Sequence, residues 1–147
     1  MGGNDEMRNY EMTDETMEWE GRTLHRIRAT RNFIVRGLEV SRGQVGGWVE
    51  SYNNLSGNAW VDGYARVSGN AWVTGCARVD GYARVTGYAC VTGNAWVTGN
   101  AWVTGYACVD GNVRVIGNAV LDGCTCLRGY EKVDGDDIQE AEEGNKA

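Results

Sequence analysis

From Val49 to Val133 every sixth residue is Val or Leu, without a miss. Gly follows two places after each of these, Ser51 excepted, and Ala follows four places after in most repeats, from Ala59 through Ala107 and again at Ala119. The unit is therefore V-x-G-x-A-x. Within A-x-V-x, a small residue and a branched one alternate with polar or aromatic ones, the period-two pattern of a strand buried on one side. Gly and the residue after it predict a bend, because Gly accepts a positive φ without steric penalty. Each hexad is then one short strand and one corner. So short a strand cannot bury Val and Ala alone, and successive turns must stack as a solenoid.

"VSGNAW", "VTGCAR" and "VDGYAR" resemble the hexapeptide repeats of left-handed parallel β-helices. The resemblance implies an all-β triangular prism in which three hexads make one coil of 18 residues. The fifteen hexads then make about five coils, roughly 24 Å long at ~4.8 Å per strand. We divide the chain into an N-terminal β cap (1–44), the hexapeptide-repeat β-helix (45–135) and a disordered acidic tail (136–147). The cap is predicted from "MEWEGRTLHRIRATRNFIVRGLEV", which alternates apolar and charged residues around a hairpin turn at Gly21. The N-terminal stretch together with the first hexads is similar to hexapeptide-repeat proteins of phages and prophages, some of which bear names implying acyl transfer or a polymer-forming role.

Folding the sequence at 18 residues sorts the outward positions into three rows. The first carries Trp48, Arg66, Arg84, Trp102 and Val120; the second Asn54, Trp72, Cys90, Cys108 and Cys126; the third Trp60, Arg78, Trp96, Arg114 and Lys132. Arg stacked on Trp covers apolar area, at roughly 0.5–1 kcal/mol per exposed contact. Flat faces bearing several Trp and Arg also have the composition of interface hot spots. Trp48, Trp60, Arg66, Arg78, Arg84, Trp96, Trp102 and Arg114 are accordingly the candidate interface residues. The resemblance implies a homo-oligomer, a trimer packed prism against prism. A host protein is the other partner these faces would suit.

Composition narrows the chemistry. The chain of 147 residues carries 22 Gly, no Pro and a net charge of −6. That charge lies at the ends: between Val45 and Arg128 the acids Glu50, Asp62, Asp80, Asp110 and Asp122 are matched by Arg66, Arg78, Arg84, Arg114 and Arg128. A neutral body is not a nucleic-acid surface, although "RIRATRNFIVR" is basic enough to touch an anion. No apolar run approaches the length of a membrane span, and the acidic N-terminus is unlike a secretion signal, so the expected compartment is the cytoplasm. Five cysteines there predict thiols rather than disulfides. A row puts the sulfurs of Cys90, Cys108 and Cys126 on a line, whereas tetrahedral zinc needs convergent ligands, so no metal is expected. No cofactor motif is present; the glycines are spaced for corners rather than phosphate loops.

Enzymes that resemble this chain transfer acyl groups with a His base in or beside the coils and a loop that reaches across the trimer seam. Here the only His is His25, within the cap, and no insertion interrupts the hexads. The reading is a non-catalytic interaction or scaffold module of phage origin. The alternatives are an acyltransferase of the hexapeptide superfamily and a nucleotide sink acting against a host defence.

Overall fold

A computed structural model describes residues 8–135. The tail predicted for 136–147 lies outside the described residues. The body is a three-sided parallel β-solenoid of about five coils, built as the hexads predict. From Trp60 onward each hexad supplies a strand of two or three residues, such as Trp60–Val61, Arg66–Val67 and Trp72–Val73, and successive coils pair equivalent strands. The inward Val, Leu and Ala side chains from Val49 to Leu121 fill the prism with almost no solvent contact.

Hydrogen bonds run from coil to coil all the way round, corners included. Trp60 N donates to Ala77 O at 3.0 Å, Asp62 N to Val79 O at 2.8 Å and Tyr64 N to Gly81 O at 3.0 Å. The corner is a four-residue turn: Ala101 N donates back to Thr98 O, with Gly99 between them at φ 72°. A positive φ on Gly99 and none on Asn100 is the pattern of a type II′ turn. Corners also stack on corners, and a Cβ on Gly99 would lie 2.8 Å from Gly117 N.

Two hairpins precede the coils. β1 (Tyr10–Trp19) and β2 (Arg22–Ala29) pair antiparallel around Glu20 and Gly21, both at positive φ, where the sequence predicts a turn. β2 then pairs antiparallel with β5 (Val45–Val49), and β5 pairs parallel with Arg66–Val67, so the cap extends the first face of the prism into one seven-stranded sheet. The start of β1 is tied across the bottom of the prism: the buried Tyr10 hydroxyl donates to Leu55 O at 2.8 Å, and Asn9 Nδ2 to Asn58 Oδ1 at 2.8 Å. Burial holds the Tyr10 phenol well above its ordinary pKa, so it remains a donor at any physiological pH. The second hairpin, β3 (Phe33–Val35) and β4 (Leu38–Val40), packs against the third face, where Phe33 meets Trp60 edge to face at 5.7 Å.

Asn54 departs from its row. It closes the 3-10 turn Tyr52–Asn54, and its side chain turns inward to donate to Ala71 O at 2.8 Å while accepting from Ser51 N at 2.8 Å. Ser51, the one hexad position without Gly, is the N-cap of that turn.

Two glycines separate the demands of a corner. Gly99→Ala suffers both the positive φ and the collision with the next coil, whereas Gly123, at φ 61°, has nothing within 4 Å of a Cβ. Gly123→Ala is expected to cost about 1–2 kcal/mol, the conformational penalty alone. Gly99→Ala should cost clearly more, and urea unfolding of the two variants measures the difference.

Candidate functional site

The registers place the outward residues in the predicted rows. Trp48, Arg66, Arg84, Trp102 and Val120 are paired in sequence along the first face. Trp72, Cys90, Cys108 and Cys126 follow on the second, and Trp60, Arg78, Trp96, Arg114 and Lys132 on the third. What the rows face is another matter, because the cap covers the N-terminal end of two of them.

Three of the expected interface residues are covered within the chain. Trp60 is 0% exposed beneath the β3–β4 hairpin, and Trp48 is 7% exposed with the Arg26 guanidinium 4.7 Å from its ring. Arg66 lies 4.9 Å from the ring of Trp19, which reaches over from β1. The alternation of the hexads predicts which side of a strand these residues occupy, but the cap adds a second layer on that side. These three are packing residues.

The ladders continue beyond the cap. On the third face Arg78 and Arg114 stand 4.5 and 5.5 Å from the Trp96 ring, and on the first face Arg84 stands 4.4 Å from Trp102. Each indole N–H bonds to a side chain one coil earlier: Trp72 to Ser56 Oγ at 2.9 Å, Trp96 to Asp80 at 3.3 Å and Trp102 to Thr86 Oγ1 at 3.0 Å. The polar edge of the ring is thereby satisfied within the prism, and the ring lies along the face. Trp60 has no earlier coil beneath it, and its buried Nε1 has no protein partner.

The corners add aromatic surface that composition alone did not assign to any site. Tyr64 stacks on Tyr82 with centroids 5.1 Å apart, and Tyr88 on Tyr106 at 5.0 Å, both pairs within 5° of parallel. They occupy the two corners that border the first face, and their rings are more than half exposed. Tyr at the same hexad position 18 residues apart is the sequence signal for such pairs. Arg84 lies between Tyr82 and Tyr88 and Trp102 beside Tyr106, while Val120, 39% exposed, stands one coil beyond the tyrosines on the same face.

The second face differs. Trp72 is 48% exposed, and above it Cys90, Cys108 and Cys126 pair in register. All five cysteines are free thiols. Burial pushes the thiols of Cys90 and Cys108 up from their ordinary values; in Cys108 the neighbouring Cys126 adds to the rise. Among the described residues no group of three or more His, Cys, Asp or Glu is arranged to hold a metal ion, and none of their helices is long and apolar enough to cross a membrane. His25, the one candidate base, sits half-buried in β2 between Thr16 and Val49.

Two outcomes follow from this geometry. Trp60→Ala should destabilise the fold by about 3–5 kcal/mol, the cost of emptying a buried Trp site, read from denaturant unfolding. Alkylation by iodoacetamide at pH 7, followed by mass spectrometry, should label the exposed Cys124 about tenfold faster than Cys90 or Cys108, whose thiolate populations are suppressed. No protein-family model and no curated protein matches this chain.

Proposed function

We propose that the chain is a non-catalytic interaction module that associates with further copies of itself through the uncovered half of its first face. The observation that carries this reading is the panel of Arg84, Trp102 and Val120 on the first face, bordered towards its Arg84 end by two stacked tyrosine pairs. Tyr, Trp and Arg are the residues enriched at interface hot spots, and here they are held on a rigid sheet, so little side-chain entropy remains to be lost on docking. The Trp102 N–H is satisfied by Thr86, which leaves the ring free to be buried without stranding a donor. A second copy suits the panel because the repeat body is neutral and its faces are flat; prism can lie against prism without net repulsion.

A closed trimer is the arrangement implied by the resemblance to hexapeptide-repeat proteins, and the similarity of the N-terminal stretch and first hexads to phage and prophage proteins supports a phage origin. Acyl transfer is the weaker reading. It needs a positioned base, and among the described residues no carboxylate hydrogen-bonds or ion-pairs with His25.

Trp102→Ala and Tyr106→Ser remove the centre and one border of the panel while leaving the inward Val and Ala intact. With folding verified by circular dichroism, light scattering should show trimeric mass for the parent chain and a shift toward monomer for Trp102→Ala, at a cost of about 2 kcal/mol or more per contact. A monomeric parent chain, or variants of unchanged mass, would overturn the proposal.

A further inference from the structure

The turn of the β3–β4 hairpin consists of Arg36 at φ 47° and Gly37 at φ 81°, the two-residue type I′ turn that favours Asn, Asp or Gly at its first position. Arg is a poor choice there, since a left-handed conformation strains any residue with a Cβ. Strain of this kind is retained where the side chain is needed. The Arg36 side chain reaches down the third face, donates from Nη1 to the Asn94 carbonyl and brings its guanidinium within 5.7 Å of the Trp96 ring.

Three guanidiniums therefore converge on one indole. Arg78 and Arg114 stand 4.5 and 5.5 Å from the same ring, and Lys132 is the next rung beyond Arg114. Among the described residues the one carboxylate bonded to the cluster is Asp80, which accepts from Arg78 Nε at 2.7 Å and from the Trp96 indole. Among the described residues neither Arg36 nor Arg114 has an ion-pair partner. Arg36 is held below the ordinary guanidinium range by burial first, then by the like charges of Arg114 and Arg78. The excess of fixed positive charge, presented by planar forks on a half-covered aromatic floor, has the donor chemistry that binds a phosphate group.

We propose that Arg36, Arg78 and Arg114, gathered around Trp96, form a receptor for a phosphate dianion, free or as a monoester. Arg36 and Arg114 supply the unpaired donors, while Asp80 holds Arg78 and the Trp96 ring in place. This site is separate from the self-association panel on the first face.

Thermal unfolding of the full chain tests it, with inorganic phosphate and adenosine 5′-monophosphate as probes against sodium chloride at matched ionic strength. Phosphate should raise the midpoint beyond the chloride control, because a ligand that binds only the folded state stabilises it. A larger rise with the nucleotide at equal concentration would identify a monoester as the preferred ligand, and equal rises would identify the phosphate group alone as what is recognised. Arg36→Asn suits the turn and removes the guanidinium, so it should keep its fold while phosphate affinity falls at least tenfold; Arg114→Gln, at an exposed position, should do the same. Arg42→Gln makes an equal charge change at an exposed position outside both the cluster and the panel and should leave phosphate binding within twofold of the parent. The proposal fails if phosphate acts no differently from chloride, if Arg114→Gln retains the response, or if Arg42→Gln abolishes it equally.

Discussion

Every coil hangs on the next by backbone hydrogen bonds that pass through the corners as well as the strands. Keeping that ladder unbroken requires each corner to superimpose on the corner of the next coil, and at most corners that coil leaves little room for a Cβ. Glycine takes the positive φ from Gly57 to Gly129, between 61 and 92°, and also meets the close approach at corners such as Gly75, Gly99 and Gly111. The same spacing dictates the interior. A triangular prism with two- or three-residue sides has space at each corner for Ala and in the middle for Val or Leu, and for little else.

Identical spacing makes the outside a set of ladders. Residues 18 apart stand directly above one another, so a Tyr repeated at that interval stacks and an Arg beside a Trp covers its ring. Indole donors find acceptors on the preceding coil by the same regularity, through Ser56, Asp80 and Thr86. Trp60 shows what happens when the regularity is interrupted. Its preceding coil is replaced by the cap, which buries the ring under Phe33 and leaves the N–H unpartnered. An unmade buried hydrogen bond costs about 1–3 kcal/mol, set here against the burial of a whole indole and its hairpin cover.

The cap divides the surface between stability and recognition. Its first hairpin prolongs the first face and covers Trp48 and Arg66, while the second lies on the third face and ends at Arg36 beside Trp96. Beyond these limits the first face is an open aromatic panel and the third a cluster of cations. A single ladder chemistry thus gains three environments from what is laid over it.

The hexad spacing by itself determined the parallel solenoid, the inward Val and Ala, the corner glycines and, Asn54 apart, the membership of each row, because all of these follow from local period and nearest-neighbour stacking. The turn at Gly21 was legible for the same reason: it lies in a short alternating segment that need only pair with itself. Which outward residues meet solvent was not legible. Trp60 and Trp96 occupy the same letter of the same repeat, yet one is wholly buried and the other half-buried. The difference is made by β3 and β4, which carry no hexad signal and reach the third face only through the path of the chain between Ala29 and Val45. Nor could spacing bring Arg36 to Trp96, sixty residues on in the chain, since that approach depends on where a folded hairpin comes to rest. Periodicity encodes contacts between equivalent positions, and only tertiary packing brings non-equivalent ones together.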